Sequence, residues 1–497
     1  MSTVTDALIA EYFASGTLSG LPRDHWIDGQ WRAAASGDSM ETFDPGLGRA
    51  FAGFASGDEQ DVELAVAAAD RALRGPWGKA TPAERSRTLM RAAEGIRANA
   101  ERLAVIETLD NGKTLKEAQS DVRSAARLFE YYAGAADKLH GETIPLGPDY
   151  VSSTHLEPVG VTAHVIPWNY PFSTAARGLA PALAAGCTAV LKPAEQTPMT
   201  ALLLAEILHQ AGLPAGVCNV ITGTGARVGA ALVAHPKVRH VTFTGSVQTG
   251  QAVMQAAARN ITSVTLELGG KSPMVVLGDC DMEKTVEDAL WAIYSNAGQI
   301  CSAGSRLVIE RGIHAEFVER LAARANQLTI GHGLKNPEIG AISSLEQLEK
   351  ISTYVEDARA RKIRIAAGGT RLTDAQSNAG WFFAPTLLDN VKPGDRLVQE
   401  EIFGPVLSVQ VADSVEHALE LANGTPFGLA AGIYSRDITK ALRLARDIDA
   451  GQVYINEYYA GGVETPFGGN KLSGFGREKG LEGLRSYCRV KAVTARI

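Results

Sequence analysis

The segment NAGQICSAGS, residues 296–305, sets Cys301 among small and amide residues, with no histidine or second cysteine near it in the chain. A papain-like cysteine and histidine pair is therefore unsupported. If the thiol is a nucleophile, its activation has to come from backbone dipoles, a carboxylate acting as base, or a bound cationic cofactor. The alternative is a packed, inert thiol, which is the reading for Cys187, Cys218, Cys280 and Cys488. A carboxylate suited to the work stands in TLELGGKSP, where Glu267 ends a strongly apolar segment directly before two glycines. Apolar neighbours raise a carboxyl pKa towards neutrality, where a general base operates. A glutamate capping the next turn would carry the same signature.

Three further segments place polar groups where strands end. In FTGSVQTG, Gly245 and Ser246 precede a helix, so bare N–H groups and a hydroxyl face outward at a helix N-terminus, a phosphate-binding geometry. ITGTGARVG, with Gly223, Gly225 and Gly229, opens a helix in the same way, although neither segment is the GxGxxG fingerprint. In VLKPAEQTP, Pro193 stops a strand and leaves Lys192 and Glu195 on one short turn. A carboxylate there can accept both hydroxyls of a ribose and repel a 2'-phosphate. A solvated ion pair on a loop is the plain alternative.

The elements that must hold these residues follow from periodicity. Residues 160–267 alternate short apolar runs (GVTAHVIPW, CTAVLKP, VCNVIT, VRHVTFTG, SVTLEL) with helical stretches, which implies a parallel, doubly wound sheet. Such sheets bind ligands at the carboxyl ends of their strands. From Asp61 to about Leu139 apolar residues recur at three and four, the pattern of amphipathic helices laid on that sheet. A second alternating series runs from SPMVVLG through SRLVIE, PVLSVQVA, LAAGIYS and GQVYIN, and reads as a second α/β domain. HGETIPLGPDYVSSTHLEP and the C-terminal YCRVKAVTARI read as edge strands pairing outside the main sheets.

Net charge of -7 and pI near 5.9 argue against a nucleic-acid or anionic-membrane surface, and leave a small molecule as the default ligand. The N-terminus lacks the basic and apolar regions of a signal peptide, and no apolar run approaches membrane-spanning length. Five widely spaced cysteines without a CxxC pair fit a reducing compartment, hence a cytoplasmic location. No HExxH or Cys/His cluster supports a metal site.

Taken together, PWNYPF, LKPAEQTP, FTGS, LELGGKSP, GQICSAGSR, EEIFGPV and PFGGNKLSGFGRE resemble the aldehyde dehydrogenase superfamily in order and spacing over essentially the whole chain. The resemblance implies an α/β fold of three parts. These are a Rossmann-type cofactor domain (1–139 and 159–267), a second α/β catalytic domain (268–480) and a small β oligomerisation arm (140–158 and 481–497). It implies Cys301 as the nucleophile attacking the aldehyde carbon, with the amide of Asn169 and the Cys301 N–H stabilising the oxyanion. Glu267 would activate the water that hydrolyses the Cys301 thioester, giving a free acid rather than a coenzyme A ester. The implied cofactor is NAD, with NADP disfavoured by Glu195. Lys192 and Glu195 would hold the adenine ribose, Gly245 and Ser246 the pyrophosphate, and Glu401 and Phe403 the nicotinamide ribose, with Gly225 and Gly229 also counted among the cofactor-binding residues. Trp168 and Leu268 would line the same cleft. Val247 stands where a threonine often follows Gly-Ser, and Asn470 where a tyrosine is frequent. A homodimer or homotetramer is implied.

The resemblance further implies a substrate tunnel lined by Tyr170, Thr174, Arg177, Tyr294, Ser295, Ile300, Ser302, Glu457, Tyr459, Gly461 and Phe467. Arg177 is read in two ways. It holds a substrate carboxylate bidentately, which points to a semialdehyde or a polar aromatic aldehyde, or it pairs with Glu457 or another carboxylate and never meets substrate. Two other functions stay open: a thiol esterase that turns over esters without NAD, and a non-catalytic NAD-binding relative.

Overall fold

The structure, a computed structural model, describes residues 3–497. Five parallel strands form the centre of an eight-stranded sheet, in the order Cys218–Val220, Thr188–Lys192, Val161–Val165, Val238–Thr244 and Ser263–Glu267. From Val161–Val165 the chain winds outward to one side, then returns to lay Val238–Thr244 on the other. The reversal leaves a crevice above the carboxyl ends of these two strands, where a doubly wound sheet takes its ligand. The sheet's margins come from distant sequence. His25–Ile27 and Gln30–Arg32 extend one edge antiparallel, and Gly474–Phe475 pairs antiparallel with Ser263–Glu267 at the other.

The stretch with helical periodicity forms Glu59–Arg74, Pro82–Ala98, Ala100–Asn111 and Leu115–Ala135. Three of these begin with a reciprocal capping box, through Asp58 and Asp61, Thr81 and Glu84, and Thr114 and Glu117, which satisfies N–H groups that the helix itself leaves free. Alanines dominate where Pro82–Ala98 and Leu115–Ala135 meet Pro171–Ala185, so the helices approach closely around a shared core with Leu89, Phe129 and Phe172.

The second sheet has seven strands, six of them parallel, with Arg364–Ala367 antiparallel at one edge. Pro273–Val276 and Ala430–Tyr434 are buried along their whole length, as expected of parallel strands covered on both faces. Tyr150–Pro158 and Cys488–Arg496 form a separate antiparallel ribbon with nine paired positions. Its valines face solvent: Val151, Val490 and Val493 are 55%, 68% and 48% exposed. Among the described residues no helix is long and apolar enough to cross a membrane.

Arg306, at the start of Arg306–Glu310, is fully buried and ties the second sheet to its surroundings. Its guanidinium donates to the carbonyl oxygens of Lys271, Leu421 and Ala422, each at 2.7 Å. Burial pushes it down to about 9, yet it remains charged at neutral pH. Arg306→Met would strip three buried carbonyls of their donor and is expected to destabilise the protein by about 3 kcal/mol or more. A thermal melt should show a drop of several degrees; an unchanged Tm would contradict the role assigned to this arginine.

Candidate active site

After helix Met282–Tyr294 the chain turns through Asn296 and Ala297, both left-handed at φ +48° and +53°, and Gly298 at φ +74°. Such angles are unfavourable for residues with a Cβ, and hydrogen bonds hold them. The Asn296 N–H donates to the Glu117 carboxylate at 2.7 Å, its Nδ2 donates to the Asn169 carbonyl at 3.1 Å, and Gln299 Nε2 donates to the Asn296 carbonyl at 3.0 Å. Gly298 runs so close to Gly404 that a Cβ would lie 2.1 Å from its carbonyl oxygen. The turn delivers Cys301, partly exposed, to the wall of a cavity of about 710 Å³. Burial pushes this thiol up to about 12 against the pull of Arg177, while Glu267 and Glu401 add to the rise. At rest the sulfur therefore keeps its proton.

Asn169 follows the strand Val161–Val165 and faces the same cavity. Its Nδ2 donates to the Gln299 carbonyl at 2.8 Å, which fixes the amide beside the Cys301 loop and leaves its second N–H for another acceptor. Asn111 Nδ2 holds the preceding Trp168 carbonyl at 2.8 Å.

Glu267 ends Ser263–Glu267 with its side chain 1% exposed and neither carboxyl oxygen hydrogen-bonded. Burial, and the Glu478 carboxylate beside it, raise its pKa well above the usual range against Arg177 and Arg477. A carboxyl so placed is held as the neutral acid and gains a proton acceptor's strength when it ionises. Glu478 forms an ion pair with Arg177, whose side chain is 16% exposed. Burial raises Glu478 too, against the charges of Arg177 and Lys479. The sequence singled out Arg177 but not Glu478. The residue lies in the GFGRE run, where nothing local marks it as buried.

Most of the residues read as cofactor-binding lie at or just beyond the carboxyl ends of the first sheet's strands. Lys192 and Glu195 form an ion pair at 2.9 Å. Burial works against the charge on Glu195, but Lys192 and the Gly225 backbone N–H together hold its carboxyl below the usual range. Glu195 thus faces the glycine turn across the crevice. At Gly225 and at Gly229 a Cβ would meet nothing, so open space adjoins the backbone, as a phosphate-bearing ligand requires. Gly225–Gly229 is a π-type turn capped by Thr224 before a four-residue helix, rather than a regular helix opening. Ser246 caps Val247–Ala258 by accepting from the Thr249 N–H, and the Gly245 N–H donates to the Glu267 carbonyl at 3.1 Å. Leu268 packs under that helix, where a Cβ on Gly250 would meet it at 2.6 Å.

Glu401 and Phe403 reach the crevice from the second sheet's side. Glu401 accepts from the Gly270 N–H at 2.8 Å. Phe403, left-handed at φ +61°, meets Trp168 edge to face at 5.2 Å, and Gln347 Nε2 secures its carbonyl at 2.7 Å. The groups present suit a dinucleotide: an acidic and a basic group beside open glycine backbone, and a second carboxylate, Glu401, near enough to Cys301 to act on its thiol.

Of the residues read as tunnel lining, Tyr170, Thr174, Arg177, Ser295 and Ile300 border the cavity with Cys301. Ser302, Tyr459, Gly461 and Phe467 complete that set. Two do not. Tyr294 is fully buried on the opposite side of its helix end and donates to the Thr386 carbonyl at 3.1 Å. Glu457 is exposed to solvent beyond the strand Gln452–Ile455, and Arg177 pairs with Glu478 instead. A one-residue change of phase at each turn decides these cases, and sequence position does not resolve it. The cavity also includes Tyr454, Glu117, Asp121, Glu464 and Lys479, which sequence reading did not select.

Comparison with known proteins agrees with this geometry. The family model described as "Aldehyde dehydrogenase family" matches residues 31–493. A betaine aldehyde dehydrogenase of Bacillus subtilis (strain 168) is 42% identical over 94% of this chain and 96% of its own. A mitochondrial benzaldehyde dehydrogenase of Antirrhinum majus is 42% identical over 94% of this chain and 88% of its own. The crystal structure of betaine aldehyde dehydrogenase from Staphylococcus aureus in complex with NAD+ superposes with a TM-score of 0.94 at 39% identity, covering 96% of this chain and 95% of that one. The match spans the segments that carry Asn169, Glu267 and Cys301, and on that basis the chain belongs to the aldehyde dehydrogenase family.

Proposed function

We propose that this protein oxidises a semialdehyde or a polar aromatic aldehyde to the free acid, with NAD as acceptor and Cys301 as nucleophile. One observation carries the reading: Cys301, the Asn169 amide and an aromatic wall of Tyr170, Tyr454, Tyr459 and Phe467 share a single cavity. Bound in the crevice between Glu195 and Glu401, NAD supplies the two-electron acceptor for the aldehyde hydrogen. The likeness to an NAD-bound relative supports that choice, and Glu195 favours NAD over NADP. The Cys301 thiol gives its proton to the ionised form of Glu267 as the sulfur attacks the carbonyl carbon, and the free N–H of Asn169, with the Cys301 backbone N–H, takes the developing oxyanion. The product of the oxidation remains on Cys301 as a thioester. Once it has released its proton to solvent, Glu267 removes a proton from the attacking water and passes it to the departing Cys301 sulfur, so the acid leaves as the thiol is restored. Domains divided as 1–139 with 159–267, 268–480, and 140–158 with 481–497 complete the reading, as does a cytoplasmic location.

The exposed valines of the Tyr150–Pro158 and Cys488–Arg496 ribbon support an oligomerisation arm, because an isolated two-stranded ribbon is marginal in water. The arm would join copies into a homodimer or homotetramer. Val490→Glu with Val493→Glu is expected to shift the mass measured by light scattering towards the monomer; an unchanged mass would remove the arm from the interface.

Because burial holds Glu267 as an acid at rest, hydrolysis should rise with pH through a value above the ordinary carboxylate range. Glu267→Gln is expected to lower steady-state turnover by about 10²-fold or more and to flatten that limb. An intact limb in this variant would assign the base elsewhere. Initial rates of NADH formation should favour benzaldehydes bearing ring hydroxyls over straight-chain aldehydes lacking polar groups. Ester turnover without NAD, and no NADH from any aldehyde, would support the thiol esterase reading instead.

A further inference from the structure

Six charged side chains line the cavity that holds Cys301: Arg127, Arg177, Lys479, Glu117, Asp121 and Glu464. Five have partners. Arg177 pairs with Glu478, Arg127 with Glu464 and Glu130, and Asp121 with Lys113. Glu117 accepts from the Asn296 and Thr114 N–H groups. Lys479 is different. Among the described residues no ion pair or hydrogen bond joins its ammonium, and the Phe467 ring lies beside it with its centroid 5.9 Å from Nζ.

The backbone underlines the difference. Lys479 sits at φ +61° and ψ 175°, a region occupied almost entirely by glycine, between the buried Glu478 and Gly480. A side chain kept there at conformational cost, in a cavity wall, with no ion pair or hydrogen bond to its ammonium, is poised for an anionic ligand. Glu464 and Glu478 act on it only from a distance, and Arg177 opposes its charge. Burial and Arg177 push its ammonium down to about 8, so it is charged at neutral pH.

We propose that Lys479 is the anion subsite of the substrate tunnel, so that the aldehyde oxidised here carries a carboxylate at the end remote from its carbonyl. Arg177, the more obvious cation by sequence, stays with Glu478 and serves the catalytic carboxyl pair rather than the substrate. The inference rests on the reading of this cavity as the aldehyde tunnel. It narrows that reading to acids, either semialdehydes or carboxylated aromatic aldehydes.

The test compares each acid with its methyl ester, 4-carboxybenzaldehyde with methyl 4-formylbenzoate and succinic semialdehyde with its methyl ester, by kcat/KM for NADH formation. The acid is expected to be preferred by on the order of tenfold to a hundredfold, the worth of a hydrogen bond to a charged group. Lys479→Gln should bring the ratio close to one, and Lys479→Arg should keep most of it. In the wild-type enzyme the ratio should fall as pH rises through about 8, because the ammonium discharges there. Arg177, Arg127, Glu464 and Glu478 are the other charged groups around it, and the ester measured at each pH reports their common effect. A ratio near one in the wild type, or an undiminished ratio in Lys479→Gln with the pH dependence absent, would overturn the assignment. Absence of NADH from acids and esters alike would instead overturn the reading of the cavity as an aldehyde tunnel.

Discussion

Burial of the Glu267 carboxyl without a hydrogen-bond partner is the condition on which the rest of the site depends. A carboxylate in that position would carry a desolvation cost of several kcal/mol, so burial raises the carboxyl well above the usual range and favours its protonated form. Burial of this kind has to be built. The strand Ser263–Glu267 is covered on one side by Val238–Thr244 and on the other by Gly474–Phe475, which arrives from the far end of the sequence. Gly468 must be a glycine for the closure to work, since a Cβ there would lie 2.7 Å from the Glu267 Oε1. The neighbouring Arg177 and Glu478 pair keeps a charge of each sign within reach, so that ionising Glu267 is costly but attainable.

The thiol faces the same problem from the other direction. Cys301 is raised by burial and by the carboxyls of Glu267 and Glu401, and its loop contains two left-handed residues that only a dense set of hydrogen bonds sustains. Those bonds run to Glu117, Asn169 and Gln299, so the nucleophile, the oxyanion amide and the cavity wall are fixed by one network. The two sheets meet there. The loop after Val161–Val165 brings Asn169 and the end of Ser263–Glu267 brings Glu267, while loops of the second bring Cys301, Glu401 and Phe403. A displacement of either sheet would separate nucleophile from base.

Much of this was legible before any coordinates. The parallel strands announce themselves where a strand buried on both faces reads as a nearly continuous apolar run, as Thr188–Lys192 does. The turns after them, with Lys192 and Glu195 or Gly245 and Ser246, carry their chemistry in adjacent residues. What depends on contacts across the chain was not legible. Glu478 as the partner of Arg177, the edge strands His25–Ile27 and Gly474–Phe475, and the isolation of Lys479 all arise from segments distant in sequence. Tyr294 and Glu457 illustrate a different limit, because each lies next to a cavity residue and differs from it only in the direction a turn gives its side chain. Pattern fixes such directions within a helix or a strand, but not where one ends.

The central claim is that Cys301 becomes acylated by the aldehyde and that Glu267 is needed to release the acid. Intact-protein mass spectrometry on the Glu267→Gln enzyme, quenched in acid after mixing with NAD and an aldehyde substrate, reads this directly. The account expects a mass increase equal to the acyl group, localised to the peptide containing Cys301 and removed by hydroxylamine. A chain of unmodified mass while NADH accumulates beyond one equivalent, or an acyl group on a different residue, would contradict it.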